Sequence, residues 1–557
     1  MNRFAYFLKN SKSFNYFLIF IFCLLLTLFL RIYNLEDVYT EYDDVGVLAL
    51  HEFNTEDQNI KLNISNLKYN FTIKKDKINQ FENSFLFPFY IAYSWTYAPG
   101  QYFFYPLINN NEDNYNEKIY KGRILSVTAS TICFLLLFLL FHKISSNKLS
   151  FLTFFCVLFY SLSSNSILYS HHMGPYSTYS MASAISLYLL CLQFKKKINI
   201  NSFFLLNTFL LYFSYLNILF YLPSIIIFLN KHNFLEIFKK FFTRPILTLI
   251  NIILFFPIIL LIFHKKKYGF GKRGISIQDY QNDASFFDYF LININQIFIS
   301  FRSVFYGFIN FSNIFILLFF LFFLIIFYIF KFKKLSLPKK NIINFEINNI
   351  FLICCFSFFI QWIILFNFSV LPLDQTRHSL AFFPVAITIC FTILNYFKIR
   401  NIFYLLLIIS LLPLSISENI RLIDSKKSNF KFEIFNAYST KNIITYEQTL
   451  SPALFFNNSH SVYNISFNSF KQIIDNDNIK DFLFVSQSKS LNQFMNLLSQ
   501  DHDSKRFKHK TSILKFLNKY HHIIVNEDSS EIYFPYNNYT VNSNPNGFYL
   551  YYFKKKK

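Results

Sequence analysis

The sequence predicts a polytopic α-helical membrane protein with about eleven transmembrane helices, followed by a small C-terminal α/β domain outside the cytoplasm. Three observations carry that prediction. Hydrophobic residues make up 53% and aromatic residues 22% of the 557 positions. Long apolar runs recur from residue 14 to residue 417, more than a soluble core of this size needs. Short basic clusters separate many of those runs, as cytoplasmic loops do under the positive-inside rule.

The formal charge of +22 would point to nucleic acid in a soluble protein. Here the lysines and arginines sit largely between apolar runs, so topology accounts for them and no nucleic-acid partner is expected. Phe occurs 80 times and Gly 9 times, a skew that an AT-rich coding sequence would produce, so a single Phe or Asn says little. All seven cysteines, Cys23, Cys133, Cys156, Cys191, Cys354, Cys355 and Cys390, lie inside apolar runs. That placement predicts neither a disulfide framework nor a structural zinc.

The first apolar run, 14–30, follows Arg3, Lys9 and Lys12 and ends in Arg31, Ile32 and Tyr33 without a small-residue cleavage site. It reads as an uncleaved span with the N-terminus in the cytoplasm. Further spans are expected near 123–141, 149–165, 177–194, 202–215, 217–229, 245–263, 311–330, 347–366, 378–397 and 402–417. From a cytoplasmic start, the basic segments 142–148, 195–197, 231–244, 331–340 and 398–400 all fall inside. The cluster Lys265, Lys266, Lys267, Lys272 and Arg273 falls outside. Either 202–229 is one bent span, or that outer loop is basic for a functional reason.

The same count places three segments outside: 32–122, a loop around His171 and His172, and one around 374–378. Residues 1–417 therefore form the membrane domain and 418–557 the outer domain. In the latter, β-rich stretches at 442–446, 481–485, 522–525 and 548–553 alternate with helical ones at 491–498 and 512–518. A bacterial inner membrane suits a tail without cysteines.

Residues able to carry chemistry lie on the outer segments. Asp43 and Asp44 are adjacent carboxylates about a dozen residues beyond the first span, a pairing that favours a bound cation, a nearby Arg or a shared proton. Such a pair suits a general base, or a divalent-metal site with Asp44 as ligand; a helix start explains it as well. Arg123 begins the second span, where it holds a phosphate or simply snorkels. His171 and His172, followed by Tyr176, can bind a metal ion, shuttle protons or hydrogen-bond sugar hydroxyls, although a pair without further ligands is weak evidence for metal. Arg377 and His378 precede an apolar span containing Pro384, and an Arg there can hold a phosphate bidentately or contact ordinary lipid headgroups. No Walker-type loop, nucleophile elbow, zincin helix or dinucleotide fingerprint occurs, so soluble-enzyme chemistries are not indicated.

In order and sidedness these landmarks resemble the GT-C glycosyltransferases of the protein O-mannosyltransferase and aminoarabinose transferase type. The resemblance runs through Arg31, the pair Asp43 and Asp44, the aromatic segment from Pro99 to Phe104, Arg123 with Ser126, Ser170 with Tyr176, and Arg377 with Pro384. It covers roughly 14–417 and not the tail; His172 and Gly174 replace an acidic residue and an Arg common in that family. It implies an inverting transferase that moves a sugar from a polyprenyl-phosphate donor to a lipid, glycan or protein acceptor at the outer membrane surface. Asp43 or Asp44 would then act on the acceptor hydroxyl. Arg377, with Arg123 or the 265–273 cluster, would stabilise the departing phosphate, and His171, His172, Tyr176 and His378 would line the site. A divalent metal ion is an optional cofactor in that scheme. Competing readings are a transporter or flippase of lipid-linked glycans, a glycan polymerase or ligase, and an assembly protein.

Overall fold

A computed structural model describes residues 11–36, 62–63, 68–69, 98–108, 115–145, 150–230, 232, 235–236, 239, 243–268, 304, 342–367, 378–396, 400–425, 442–445, 461–464, 479–486, 490–499, 510–527, 532–534, 539–541 and 549–556. The chain is mostly helical, with a small mixed sheet near its C-terminus. Among the described residues, three helices are long and apolar enough to cross a membrane, or four if one bent pair counts as a single span. Five shorter apolar helices pack with them. The expected span at 311–330 lies outside the described residues.

The helices are α1 Ser11–Ile32, α2 Tyr115–Ile144, α3 Phe151–Leu162, α4 Ser164–Ser170, α5 Tyr176–Phe194, α6 Ile200–Leu210, α7 Tyr221–Leu229, α8 Pro245–Tyr268, α9 Ile342–Asn367, α10 Phe383–Tyr396 and α11 Asn401–Asp424. On α1, Leu18, Phe22, Leu25, Phe29 and Ile32 are exposed at alternating steps of four and three residues, which is one helix face. Cys23, Leu26 and Leu30 on the other side are buried. An apolar stripe on the outside and an apolar stripe inside is what lipid, not water, permits. Similar exposed aliphatics recur along α8, among them Ile246, Leu249, Ile253 and Phe256.

The bundle interior holds paired rings, Phe141 with Phe391 stacked at 4.3 Å and Phe359 edge-on to Phe382 at 4.1 Å. Between them run polar ties. Ser186 Oγ donates to Asn207 Oδ1 at 2.7 Å, and Asn217 Nδ2 donates to the Ala182 carbonyl and to Ser186 Oγ. Such side chains hold membrane helices together where water is absent.

Several expected boundaries move. The second span starts earlier than position 123, because α2 extends from Tyr115. The run 202–229 is not one bent span: α6 ends at Leu210, the chain turns at 211–214, and a 3₁₀ turn Tyr215–Phe220 leads into α7, which packs back on α6. Asn207 Nδ2 donates to the Asn217 carbonyl across that reversal at 2.9 Å. The span expected at 149–165 breaks at Ser163, and α3 and α4 meet at 52°. Ser163, Ser164, Asn165 and Ser166 cluster at the break, where Ser164 Oγ bonds Asn419 and Ser166 Oγ bonds Arg31, both on other helices. The last membrane helix continues to Asp424, seven residues past the expected boundary at 417.

The tail forms a five-stranded sheet. Its strands are β1 Asn442–Thr445, β2 Ser461–Asn464, β3 Asp481–Ser486, β4 Tyr520–Glu527 and β5 Tyr549–Lys555, in the order β2-β1-β3-β5-β4. β1 pairs parallel with β2 and β3, whereas β5 is antiparallel to β3 and β4. Helices α12 Leu491–Ser499 and α13 Lys510–Leu517 cover one face, where Phe482, Phe484, Tyr551 and Phe553 are buried against Phe494 and Phe516. The opposite face presents Ile443, Leu483, Val485 and Leu550, which belong to the same buried apolar cluster as the membrane helices. Alternation along β3 thus sends successive side chains to two different cores.

Candidate functional site

The end of α1 is built around Arg31, which is fully buried. A guanidinium has five N–H donors. Nε donates to Ser130 Oγ at 2.5 Å, Nη1 to the Thr27 and Ser161 carbonyls, and Nη2 to the Tyr160 carbonyl and Ser166 Oγ. All five therefore meet neutral oxygens, and the group also lies 5.3 Å from the Tyr160 ring centroid. Its charge is compensated by helix ends instead of a carboxylate. Arg31 occupies the last turn of α1, and the Tyr160 and Ser161 carbonyls belong to the last turn of α3, both negative dipole ends.

That contact also supplies partners for backbone carbonyls at the α3–α4 break, since the last carbonyls of a helix need partners in a dry interior. Arg31 takes those of Tyr160 and Ser161, and Asn419 Nδ2 of α11 takes that of Leu162 at 2.9 Å. Asn419 Oδ1 in turn accepts from Ser164 Oγ at 2.7 Å, fixing the first residue of α4.

Immediately beyond α1 the chain is pinned three times. The Tyr33 carbonyl lies 3.1 Å from His171 Nε2, Asn34 Nδ2 donates to Asp424 Oδ1 at 2.8 Å, and Arg123 Nη1 donates to the Leu35 carbonyl at 2.7 Å. Asn34 adopts φ of 53°, a left-handed conformation that Asn tolerates better than most residues. Arg123 is thus not a snorkelling residue at a helix mouth; it lies two turns inside α2, fully buried, because α2 begins at Tyr115.

The aromatic segment joins the same end of the bundle. Gln101 is buried and donates from Nε2 to Ser126 Oγ and to the Met173 carbonyl, while Tyr102 Oη donates to that carbonyl at 3.4 Å. Thr178 Oγ1 donates to Gln101 Oε1 at 3.4 Å, so the amide touches both α2 and α5. Gly100 N–H donates to the Tyr212 carbonyl at 2.7 Å, and a Cβ at Gly100 would lie 2.5 Å from the Phe213 ring. Only glycine permits that approach.

His171 and His172 are both buried. His171 Nδ1 lies 2.8 Å from the Ile167 carbonyl, so both ring nitrogens face backbone oxygens. Burial pushes its pKa down to about 4; the two carbonyls act against that shift, and the nearby Arg123 and His172 add to it. At neutral pH the ring is uncharged and donates to one carbonyl at a time. His172 and Tyr176 both contact the Tyr169 ring, at 5.2 Å between centroids in each case.

Three of the expected landmarks therefore converge: 99–104, Arg123 with Ser126, and 170–176 meet around the exit of α1. A fourth approaches, because the 3₁₀ turn His378–Phe382 packs on α5, where Ser180 Oγ donates to the Leu380 carbonyl at 2.7 Å. Asp43, Asp44 and Arg377 lie outside the described residues, as does the side chain of His378. Among the described residues no three His, Cys, Asp or Glu side chains form a metal-sized group. Sequence reasoning passed over Gln101, Ser130, Ser166 and Asn419. The polar run at 161–166 inside an apolar stretch was the available signal for Ser166.

No family model matches the chain, and no curated protein is significantly similar to it.

Proposed function

We propose that this protein is a membrane glycosyltransferase of GT-C type, with about eleven spans, that transfers a sugar from a polyprenyl-phosphate donor to a lipid, glycan or protein hydroxyl at the extracytoplasmic membrane surface. One observation supports the reading above others. Segments far apart in sequence that carry the GT-C-like landmarks share hydrogen bonds at one end of the helix bundle, through Gln101, Ser126, Met173 and Arg123. That same end fixes Tyr33, Asn34 and Leu35, from which the chain leads within ten residues to Asp43 and Asp44.

In this scheme one of the two carboxylates takes the acceptor proton as the hydroxyl oxygen attacks the anomeric carbon. The bond from that carbon to the phosphate oxygen breaks, and Arg377 meets the charge of the leaving lipid phosphate. A single displacement inverts the configuration. Asp44 is the carboxylate available to a divalent ion.

The test is transfer of radiolabelled sugar from polyprenyl-phosphate donors to membrane lipid and glycan extracts, comparing wild type with Asp43→Asn/Asp44→Asn. Transfer by wild type and its loss in the double variant supports the proposal; equal transfer by both removes the roles given to the pair. A second reading, transport of lipid-linked glycans, draws on the broken α3–α4 span and the buried Arg31 beside it. Movement of labelled lipid-linked glycan across proteoliposomes without sugar transfer would favour it.

A further inference from the structure

The sheet of the tail gathers lysines that are remote in sequence. At the start of β3, the end of β5 and the start of β4, Lys480, Lys519, Lys554, Lys555 and Lys556 are all exposed, and Lys515 is exposed on the last turn of α13. Strand pairing puts them together: Lys555 N–H donates to the Lys480 carbonyl and Lys556 N–H to the Lys519 carbonyl, each at 2.9 Å. Among the described residues of this end the acidic group is Asp481, and its Oδ2 accepts from Tyr552 Oη at 2.8 Å. Among the described residues, this end is a concentrated positive patch without arginine.

Register divides that patch: Lys554 lies on the bundle side, whereas Lys555 pairs with Tyr520, which is buried under α12 and α13, so Lys555 belongs to the opposite face. His521 pairs with Lys554, Ile523 with Tyr552, and Leu483 with Tyr552 across β5. Side chains two apart on a strand share a face. His521, Ile523, Tyr552 and Lys554 therefore share the face that carries Leu483, Val485 and Leu550 into the membrane-helix cluster. One end of this face is packed on the bundle. Its other end carries Ile523, which is 63% exposed, together with exposed His521 and Lys554. The exposed part of this face adjoins the part that is packed on the helices.

We propose that this exposed part of the tail sheet, Ile523 with Lys554 and the neighbouring Lys519 and Lys556, rests on the anionic phospholipid headgroups of the membrane that the helices cross. Lysines suit that partner: compact, mobile point charges follow a diffuse layer of phosphates, whereas reading a defined phosphate favours the bidentate fork of arginine. An exposed aliphatic among basic side chains is the composition of an interfacial contact. Each lysine near an anionic surface strengthens association about fivefold, so the patch acts as a set and no single residue carries it.

The test uses the full chain in nanodiscs, of phosphatidylcholine alone or mixed with phosphatidylglycerol, and follows backbone hydrogen exchange. In phosphatidylglycerol discs, amides of residues 519–525 exchange roughly tenfold more slowly than in phosphatidylcholine. That protection disappears in about 0.5 M salt, where screening is nearly complete, and in Lys519→Gln/Lys554→Gln/Lys556→Gln. Exchange of 443–445 and 483–485 stays the same throughout, which keeps an unfolded or undocked tail distinguishable from a lost lipid contact. Equal exchange at 519–525 in the two kinds of disc overturns the proposal. So does protection that appears in phosphatidylcholine discs on adding soluble polygalacturonate and is absent with phosphatidylglycerol, a result that would assign the patch to an anionic glycan.

Discussion

Arg31 and Ser166 meet across a helix break: Nη2 of the one donates to Oγ of the other at 2.8 Å, joining the end of α1 to the first turn of α4. With the remaining four donors on Ser130, Thr27, Tyr160 and Ser161, a single side chain ties three helical segments to α1. Arg31→Ala leaves at least two buried carbonyls of α3 without partners, and each such group costs about 1–3 kcal/mol. The variant is expected to melt well below wild type in detergent. Arg31→Lys does not restore it, since an ammonium has three donors in place of five. A wild-type melting temperature for Arg31→Lys would refute the brace.

Gly100 presses its Cα against the Phe213 ring. Gly100→Ala forces one of them to shift, at a cost of about 1–3 kcal/mol. Phe213→Ala opens the space, so the double variant should recover part of that loss. Melting curves of the two single variants and the double variant measure this coupling; strict additivity would mean that the contact carries no strain.

His171 gives a pH dependence with a defined sign. Its pKa falls from 6.5 to about 4 on folding because it is buried. Between those values the unfolded chain binds more protons than the folded one, so stability is fully present above pH 6.5 and is lost as pH falls towards about 4. Thermal melts across this window should show a shallower slope in His171→Gln than in wild type. An unchanged slope would assign the acid sensitivity to other groups.

Asn34 separates backbone from side chain. Asn34→Gly keeps the left-handed φ and loses the bond to Asp424, whereas Asn34→Ala loses both. Stability should fall in the order wild type, Gly, Ala. Under the glycosyl-transfer reading both variants also lower kcat, because the chain leading to Asp43 and Asp44 is less well fixed. A kcat equal to wild type in Asn34→Gly would detach this anchor from activity.

How far the sequence reveals this architecture depends on the kind of signal. The tail strands at 442–445, 481–486 and 549–555 follow the expected stretches closely, because β-branched and aromatic runs between polar turns are local patterns. The strand at 461–464 went unnoticed, being a four-residue parallel edge set in an Asn- and Ser-rich stretch. Hydropathy found most helices but could not see the α3–α4 break, since 149–165 remains apolar on average while its last residues are polar. Arg123 was misplaced for a related reason. Charges near 117–123 look like a loop, and burial of Arg123 depends on a carbonyl 88 positions away. Gln101 needed contacts from two other helices to stand out from its aromatic neighbours.

The bond between Asn34 and Asp424 joins positions 390 residues apart. A ribosome adding about 5–20 residues per second needs roughly 20–80 s to make the second partner after the first. Throughout that interval the exit of α1 is one anchor short. Under the glycosyl-transfer reading, the segment that leads to Asp43 and Asp44 therefore gains its last anchor late in biogenesis, when α11 comes into place, and a nascent chain interrupted before that helix lacks it.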